Sequence, residues 1–409
     1  MRERLHVLRH RDFRYLWLGQ SASAIGDAVV IVAIALYVTQ LTDDPTKVGI
    51  VLAAYLGPLI AFLLIGGVWA DRLPRERVMI AADVARACLH TLLAALIFTG
   101  AVEIWQIVVI EACYGTAQAF FQPAYTGIVP RTVPPAEVQQ AQALSSLTLN
   151  LAELTGPAIA TALVLGAGAG WAFLLDAATF VVSATLLLHV RTVATAPAAE
   201  ERGTVLGELK EGFREVSSRP WLWVTVIVFS LAVPVGYAPL FVLGPTIAEE
   251  TYDSAAVFGI VTAAYGAGAL AGALIGLRWR PRHPMRTAFL VVAVWPLMLV
   301  AFAAGAPVAL VLLLSVGTGM GFALFEVLWD TTMAERIPPH ALSRASAWEW
   351  MGSLALLPFG YILAGPAAEA TSPETVMVTG AILTAIALAT GLVPRDTRTL
   401  RRAEHGAHV

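Results

Sequence analysis

Apolar runs of about 20 residues recur from one end of this chain to the other, and no other feature restricts its fold so strongly. At ~1.5 Å rise per residue, a helix of that length crosses ~30 Å of hydrocarbon. Twelve runs can be marked: Tyr15 to Thr39, Val48 to Ala70, Val78 to Gly100, Ile104 to Gln122, Ala143 to Leu165, Trp171 to Val190, Trp221 to Leu243, Ala255 to Leu277, Thr287 to Gly305, Val308 to Leu328, Ala345 to Gly365 and Glu374 to Leu392. In hydrocarbon each backbone must satisfy its own hydrogen bonds, and the runs lack the alternation of barrel strands, so each reads as an α-helix. The expected fold is all-α, a polytopic membrane protein with twelve transmembrane helices. Of the 409 residues 58% are hydrophobic and only 13% charged, against about 25% charged in ordinary soluble domains.

The charges that remain set the topology. Loops rich in Lys and Arg stay cytoplasmic, and with both termini inside, 24 of the 26 basic residues fall on the cytoplasmic side. Lys47 faces outward and Arg86 lies within a span. Shifting the helix count by one would destroy this partition. Because the basic residues are spread over short loops and net charge is only -3, nucleic acid is not an expected partner. Cys88 and Cys113 both lie in apolar runs, so neither a disulfide framework nor a metal motif is implied. The basic N-terminus leads into a long span without the short apolar core and cleavage site of a signal peptide, so this span is expected to be retained.

The chain repeats itself. Val133-Pro134-Pro135 returns as Ile337-Pro338-Pro339, and at the same offset Gly115 matches Gly319 and Gly156 matches Gly360. At an offset one larger, Gly67 aligns with Gly272, Arg75 with Arg280 and Arg77 with Arg282. The expected organisation is a six-helix bundle over residues 1–190, a cytoplasmic linker over 191–220, and a second, pseudo-symmetric six-helix bundle with a short basic tail over 221–409. Parallel repeats of this kind rock around a midplane site. In the linker, Leu206, Leu209, Phe213 and Val216 recur at helical spacing, which fits an amphipathic helix on the membrane surface or, more plainly, a flexible connection.

After the second span the sequence reads Gly67-Val-Trp-Ala-Asp71-Arg72-Leu-Pro-Arg75-Glu-Arg77. This resembles the G-x-x-x-D-R-x-x-R signature of the major facilitator superfamily. Gly26-Asp27, Pro123-Ala124, Gly156-Pro157 and Glu211-Gly212-Phe213-Arg214 extend the resemblance over essentially the whole chain, towards the twelve-span exporter branch that includes macrolide and enterobactin efflux proteins. The resemblance implies that Asp71, Arg72, Arg75 and Arg77, with Gly67, act in gating. A carboxylate among guanidiniums at a helix end gains charge-assisted bonds that can break when the halves move; plain positive-inside topology would also account for the arginines. Gly156 and Pro157 are associated in the family with antiport, and a bend that lets neighbouring helices approach explains them as well. Glu111 departs from the family pattern, since many drug antiporters carry an arginine there.

Asp27, Arg86, Glu111 and Glu153 fall near the membrane midplane, where a charged group facing lipid is costly and therefore expected to face a partner or a wet cavity. Asp27 and Glu153, with Glu111 after them, are the proton-coupling candidates. Arg86 is expected to pair with Asp83 one turn away, or with Glu111 on the next helix. Asp176 is expected near the outer end of its span and is given no role. Since Glu111 corresponds to Ser315 and Glu153 to Leu357, the acidic equipment is expected to be confined to the first half. In the second half Pro234, Gly236 and Pro239 are expected to interrupt the seventh span, and Tyr237, Phe241, Phe322 and Phe325 are candidates for a substrate-cavity wall or for packing.

The expected function is secondary active transport, with proton-coupled export of a hydrophobic or amphiphilic small molecule such as an antibiotic or siderophore. Uptake or facilitated diffusion by the same fold, or a membrane sensor or assembly factor without flux, are the alternatives. No H-E-x-x-H, G-x-S-x-G or G-x-x-x-x-G-K-[ST] motif occurs, so no enzymatic activity, metal or other cofactor is expected. The partners implied are a small-molecule substrate, protons and the lipid bilayer, for a protein acting as a monomer. Two Lys against 24 Arg, with abundant Ala, suggest a GC-rich genome and hence a bacterial plasma membrane.

Overall fold

The computed structural model describes residues 6–134, 137–190, 213–276, 278–337 and 339–401. Among them are twelve helices long and apolar enough to cross a membrane, and no strand. The first half comprises α1 (Arg11–Thr42), α2 (Pro45–Arg72), α3 (Arg75–Thr99), α4 (Ile104–Ile128), α5 (Val138–Gly166) and α6 (Ala169–Leu187). The second comprises α7 (Pro220–Tyr252), α8 (Ala256–Gly276), α9 (Pro284–Ala303), α10 (Val308–Arg336), α11 (Pro339–Leu354 continued by Leu357–Ala370) and α12 (Pro373–Gly391). Two compact units result, one built on α1–α6 together with Phe258–Ala263 and the other on the rest of α7–α12.

Helix ends follow local chemistry. Asp43 stops α1 in the left-handed region at φ 51°, the Asp44 carboxylate accepts the Thr46 backbone N–H at 2.9 Å, and Pro45 occupies the first turn of α2. Gly100, at φ 68°, closes α3. Several helices overrun the apolar stretches that mark them. α4 continues through Pro123 to Ile128, and α10 runs eight residues past Leu328 to Arg336, because polar residues beyond the hydrocarbon continue a helix without penalty.

The seventh span departs from expectation. Pro234, Pro239 and Pro245 lie inside α7, yet it stays helical throughout. A proline removes one backbone donor and crowds the preceding turn, but in lipid the alternative is a fully exposed backbone, so the helix absorbs it. The breaks occur instead in α9, at Ala293, and in α11, between Leu354 and Leu357. Of the expected linker helix, Leu206 and Leu209 lie outside the described residues. Phe213 and Val216 sit in a short helix over 213–217, with Val216 buried and the Phe213 ring 5.4 Å from Trp348.

Both halves pack by one scheme. In the first, α1 lies on α5 and α6, and α3 lies on α4 and α6; in the second, α7 lies on α11 and α12, and α9 on α10 and α12. Glycines set the closest approaches. A Cβ on Gly115 of α4 would lie 2.0 Å from the Tyr55 carbonyl oxygen of α2, and one on Gly319 of α10 would lie 1.8 Å from that of Tyr265 on α8. Gly156 abuts Ala28 of α1 in the same way that Gly360 abuts the backbone of Pro234 on α7. Small residues of this kind let membrane helices meet backbone to backbone.

Candidate functional site

The first half encloses a polar cluster where α1, α3, α4 and α6 meet. Asp83, Arg86 and His90 follow one another at helical spacing on the inner face of α3, and all three are fully buried. The Arg86 guanidinium donates to Asp83 Oδ1 and to Gln118 Oε1 on α4, while its Nη1 lies 3.9 Å from Asp27 Oδ1 on α1. Phe180 and Phe121 cover its faces, with their ring centres 4.1 and 4.3 Å from its central carbon. Asp83 Oδ2 accepts the Ser183 hydroxyl of α6 at 2.7 Å, and Ser183 in turn accepts Gln20 of α1 at 3.0 Å. A buried guanidinium is tolerated when its charge and most of its donors are met; here three helices supply partners to both Nη atoms, while Nε has none among the described residues.

Tyr114 of α4 adjoins a second group. Its hydroxyl donates to Asp27 Oδ1, and its ring stacks on His90 with centroids 4.3 Å apart and planes at 7°. His90 Nδ1 is hydrogen-bonded to Asp176 Oδ2 of α6, and its Nε2 stands 3.4 Å from Glu111 Oε1 of α4. Asp176 Oδ1 lies so close to Gly26 that a Cβ there would fall 2.1 Å from it, so only glycine at this point of α1 admits the carboxylate. Asp83, Arg86, His90, Glu111 and Asp176 are closed off from solvent. The Asp27 side chain keeps 35% of its surface exposed.

The other sequence candidates lie elsewhere. Glu153 is exposed on α5 and makes no hydrogen bond or ion pair among the described residues. Gly156 holds α5 against Ala28, and α5 remains helical through Pro157. In the signature loop Arg72 and Arg77 are exposed, and the side chain of Asp71 lies outside the described residues. The Arg75 guanidinium rests directly on Gly127 of α4, where any side chain would displace it. A Cβ at Gly67 would meet nothing within 4 Å; the tight approach of α2 to α4 is made by its neighbour Gly66, against Ala119.

The second half contains no buried charged side chain among the described residues: every buried polar side chain of α7–α12 is Ser or Thr. Acidic residues are nevertheless not confined to the first half. Glu326 and Asp330 lie on α10, and Glu349 on α11 is half-buried and accepts the Ser353 hydroxyl at 3.3 Å. Phe322 and Phe325 belong to an aromatic core with Phe229, Phe289, Trp295 and Trp329, while the rings of Tyr237 and Phe241 lie 4.6 Å apart. A cavity of about 620 Å³ lies between α7, α11 and α12, lined by Leu231, Pro234, Leu356, Phe359, Leu363 and their neighbours, and by none of those four aromatics.

Asp176, expected near the outer end of its span, is instead a member of the cluster, and His90, Gln118 and Ser183 join it without a sequence motif to mark them. Their signal is polarity at helical spacing on apolar spans: His90 stands one turn after Arg86, and Ser183 two turns after Asp176.

The profile of the Major Facilitator Superfamily matches residues 16–353. The chain belongs to the Major Facilitator Superfamily. Membership of this family supports a transporter function. Among curated relatives, the MFS-type transporter YfiS of Bacillus subtilis is 27% identical over 51% of this chain and 49% of its own length. Macrolide efflux protein A of Streptococcus pyogenes is 25% identical over 64% of this chain and 65% of its own. Enterobactin exporter EntS of Escherichia coli is 27% identical over 65% of this chain and 63% of its own. The matched stretches thus span from about half to just under two thirds of these relatives. Among solved structures, a bacterial homolog of the human lysosomal transporter Spinster superposes with a TM-score of 0.72 at 15% identity, covering 98% of this chain and 99% of that one. The nucleoside transporter NupG gives 0.71 at 14% identity, covering 94% and 99%. At such identities these two speak for the superfamily fold alone.

Proposed function

We propose that this superfamily member exports a hydrophobic or amphiphilic small molecule by alternating access, driven by protons, from the cytoplasmic side of a bacterial plasma membrane. The reading rests chiefly on Asp27. It is the part-exposed carboxylate of an otherwise closed cluster, bonded to Tyr114 and 3.9 Å from the buried Arg86. A carboxylate so placed gains a proton when its surroundings close and loses it when water or the guanidinium draws near. Glu153, a charged residue on a membrane-spanning helix with no described partner, is the second coupling group. Glu111 adjoins the same cluster through His90.

Asp71, Arg72, Arg75 and Arg77, with Gly67, form the gate in this reading, and Asp71→Asn is expected to insert normally and lose transport. Export as the direction draws support from the names of the relatives, a macrolide efflux protein and an enterobactin exporter. The apolar second half, with its aromatic core, suits a hydrophobic cargo better than a sugar. Both termini lie in the cytoplasm, the protein works as a monomer, and no cofactor takes part. The test is efflux of a compound panel, a macrolide and enterobactin included, from a pump-deficient host with and without a proton uncoupler. Uncoupler-sensitive efflux of a panel compound supports the proposal. Uncoupler-insensitive equilibration, or accumulation driven inward, favours a facilitator or an importer.

A further inference from the structure

We infer that His90, Glu111 and Asp176 form a second proton-binding unit within this buried cluster, separate from the one built on Asp27, Asp83 and Arg86, so that the cluster itself takes up two protons. This deepens the proton-coupled reading above and rests on it. Three observations carry it. The triad spans three helices, α3, α4 and α6, with one imidazole between two carboxyl groups, at 3.4 Å from Glu111 and bonded to Asp176. All three side chains are fully buried. Finally, both Glu111 oxygens, Asp176 Oδ1 and His90 Nε2 have no hydrogen-bond partner among the described residues although they are shut off from solvent. Native interiors rarely leave such atoms unmet. A proton shared between His90 Nε2 and Glu111 Oε1, 3.4 Å apart, would meet two of them at once.

The charge count distinguishes the two units. Around the triad, the titratable groups are Asp27 on α1, Tyr55 on α2, Asp83 and Arg86 on α3, and Tyr114 on α4. Arg86 is engaged by Asp83 and shared with Asp27, which leaves His90 as the base available to two acids. Each unit therefore holds one carboxylate more than its base can balance, and each becomes neutral on binding one proton. In a dry interior the excess charge is expensive. The proton belongs to the triad as a coupled unit and not to a single residue. Tyr114 stands between the units, its hydroxyl on Asp27 and its ring on His90. The units differ in exposure, since Asp27 is part-exposed and the triad is closed, and faster exchange with water is expected at Asp27.

Infrared difference spectroscopy on the detergent-purified full chain, stepped between about pH 8 and 5 in H₂O and in D₂O, tests this without a known substrate. Wild type is expected to show two carboxylic-acid bands from this cluster. One is absent in Asp27→Asn and exchanges with D₂O on mixing. The other is removed by Glu111→Gln or Asp176→Asn, displaced by His90→Gln, and slow to exchange. Each single loss leaves about half the amplitude, the share expected of one site in two, and Asp27→Asn with Glu111→Gln leaves none from this cluster. If Asp27→Asn removes the whole cluster signal while Glu111→Gln and Asp176→Asn match wild type, the triad is structural, and the single-proton reading survives. If no band responds to any of these variants, the proton-coupled reading fails as well. Where a variant does not fold, the D₂O arm on wild type decides: two bands that both exchange on mixing overturn the inference.

Discussion

The two halves share a skeleton and differ in what they bury. Gly115 and Gly319 press on the carbonyls of Tyr55 and Tyr265, and Gly156 and Gly360 press on α1 and α7 at matching places. Along α4 and α10, however, Glu111 is answered by Ser315, Tyr114 by Thr318, Gln118 by Phe322 and Phe121 by Phe325. Where Arg86 lies on Gln118 and Phe121, the indole of Trp295 lies 5.1 Å from Phe322. One scaffold thus accommodates either a charged cluster or an aromatic core at a corresponding place. Backbone contacts at small residues fix the helices, so the side chains between them are free to diverge.

The comparison is broken most severely at Arg86. Arg86→Met leaves Asp83 buried without its counter-charge and is expected to cost about 3–5 kcal/mol, read as a fall in thermal stability of the purified protein. Adding Asp83→Asn should recover part of that loss. Phe325→Leu, in the aromatic core, is expected to cost under about 1.5 kcal/mol. Equal losses for the two single variants would mean that the charged cluster is no more demanding than the aromatic one.

The shared skeleton predicts equality instead. Gly115→Ala and Gly319→Ala each force a methyl against a backbone carbonyl, and each should cost about 1–3 kcal/mol, with melting temperatures within error of one another. A loss in one half alone would show that the glycine contacts are not equivalent.

The smallest effect lies outside the membrane, at a feature of the first half only. Glu137, which corresponds to Ala341, binds Arg9 at 2.9 Å and His10 at 3.0 Å. Partial desolvation draws its carboxyl upward, but the His10 hydrogen bond and the charge of Arg9 outweigh this and hold it below the usual carboxylate range. A depressed folded-state value stabilises above the ordinary carboxylate pKa and is lost as pH falls through the depressed one. Wild type should therefore lose slightly more stability than Glu137→Gln on acidification below about pH 4, and coincident pH profiles would remove the contact from the account.

Much of this architecture was legible in the sequence, because lipid leaves a chain few options. Twelve apolar runs and the distribution of Arg mark the spans, and Pro-Pro and Gly repeats mark the two halves. The Asp83–Arg86 contact was readable because three residues is one helical turn. The His90–Asp176 bond joins positions 86 residues apart on two spans, and no local periodicity encodes such a meeting. Gly67 was chosen by its motif, whereas helix geometry points Gly66 at α4. Prolines in α7 read as interruptions by rules learned in water, and a membrane changes the penalty for leaving the helix.

In the proposed cycle, protons are carried by the first half. The most direct test is uphill export of a panel compound into acid-loaded everted membrane vesicles, compared with downhill exchange of the same compound. For Asp27→Asn with Glu153→Gln, the account predicts that uphill export is abolished while exchange persists. Uncoupler-sensitive uphill export at the wild-type rate in that double variant would contradict it and would move the coupling groups away from Asp27 and Glu153.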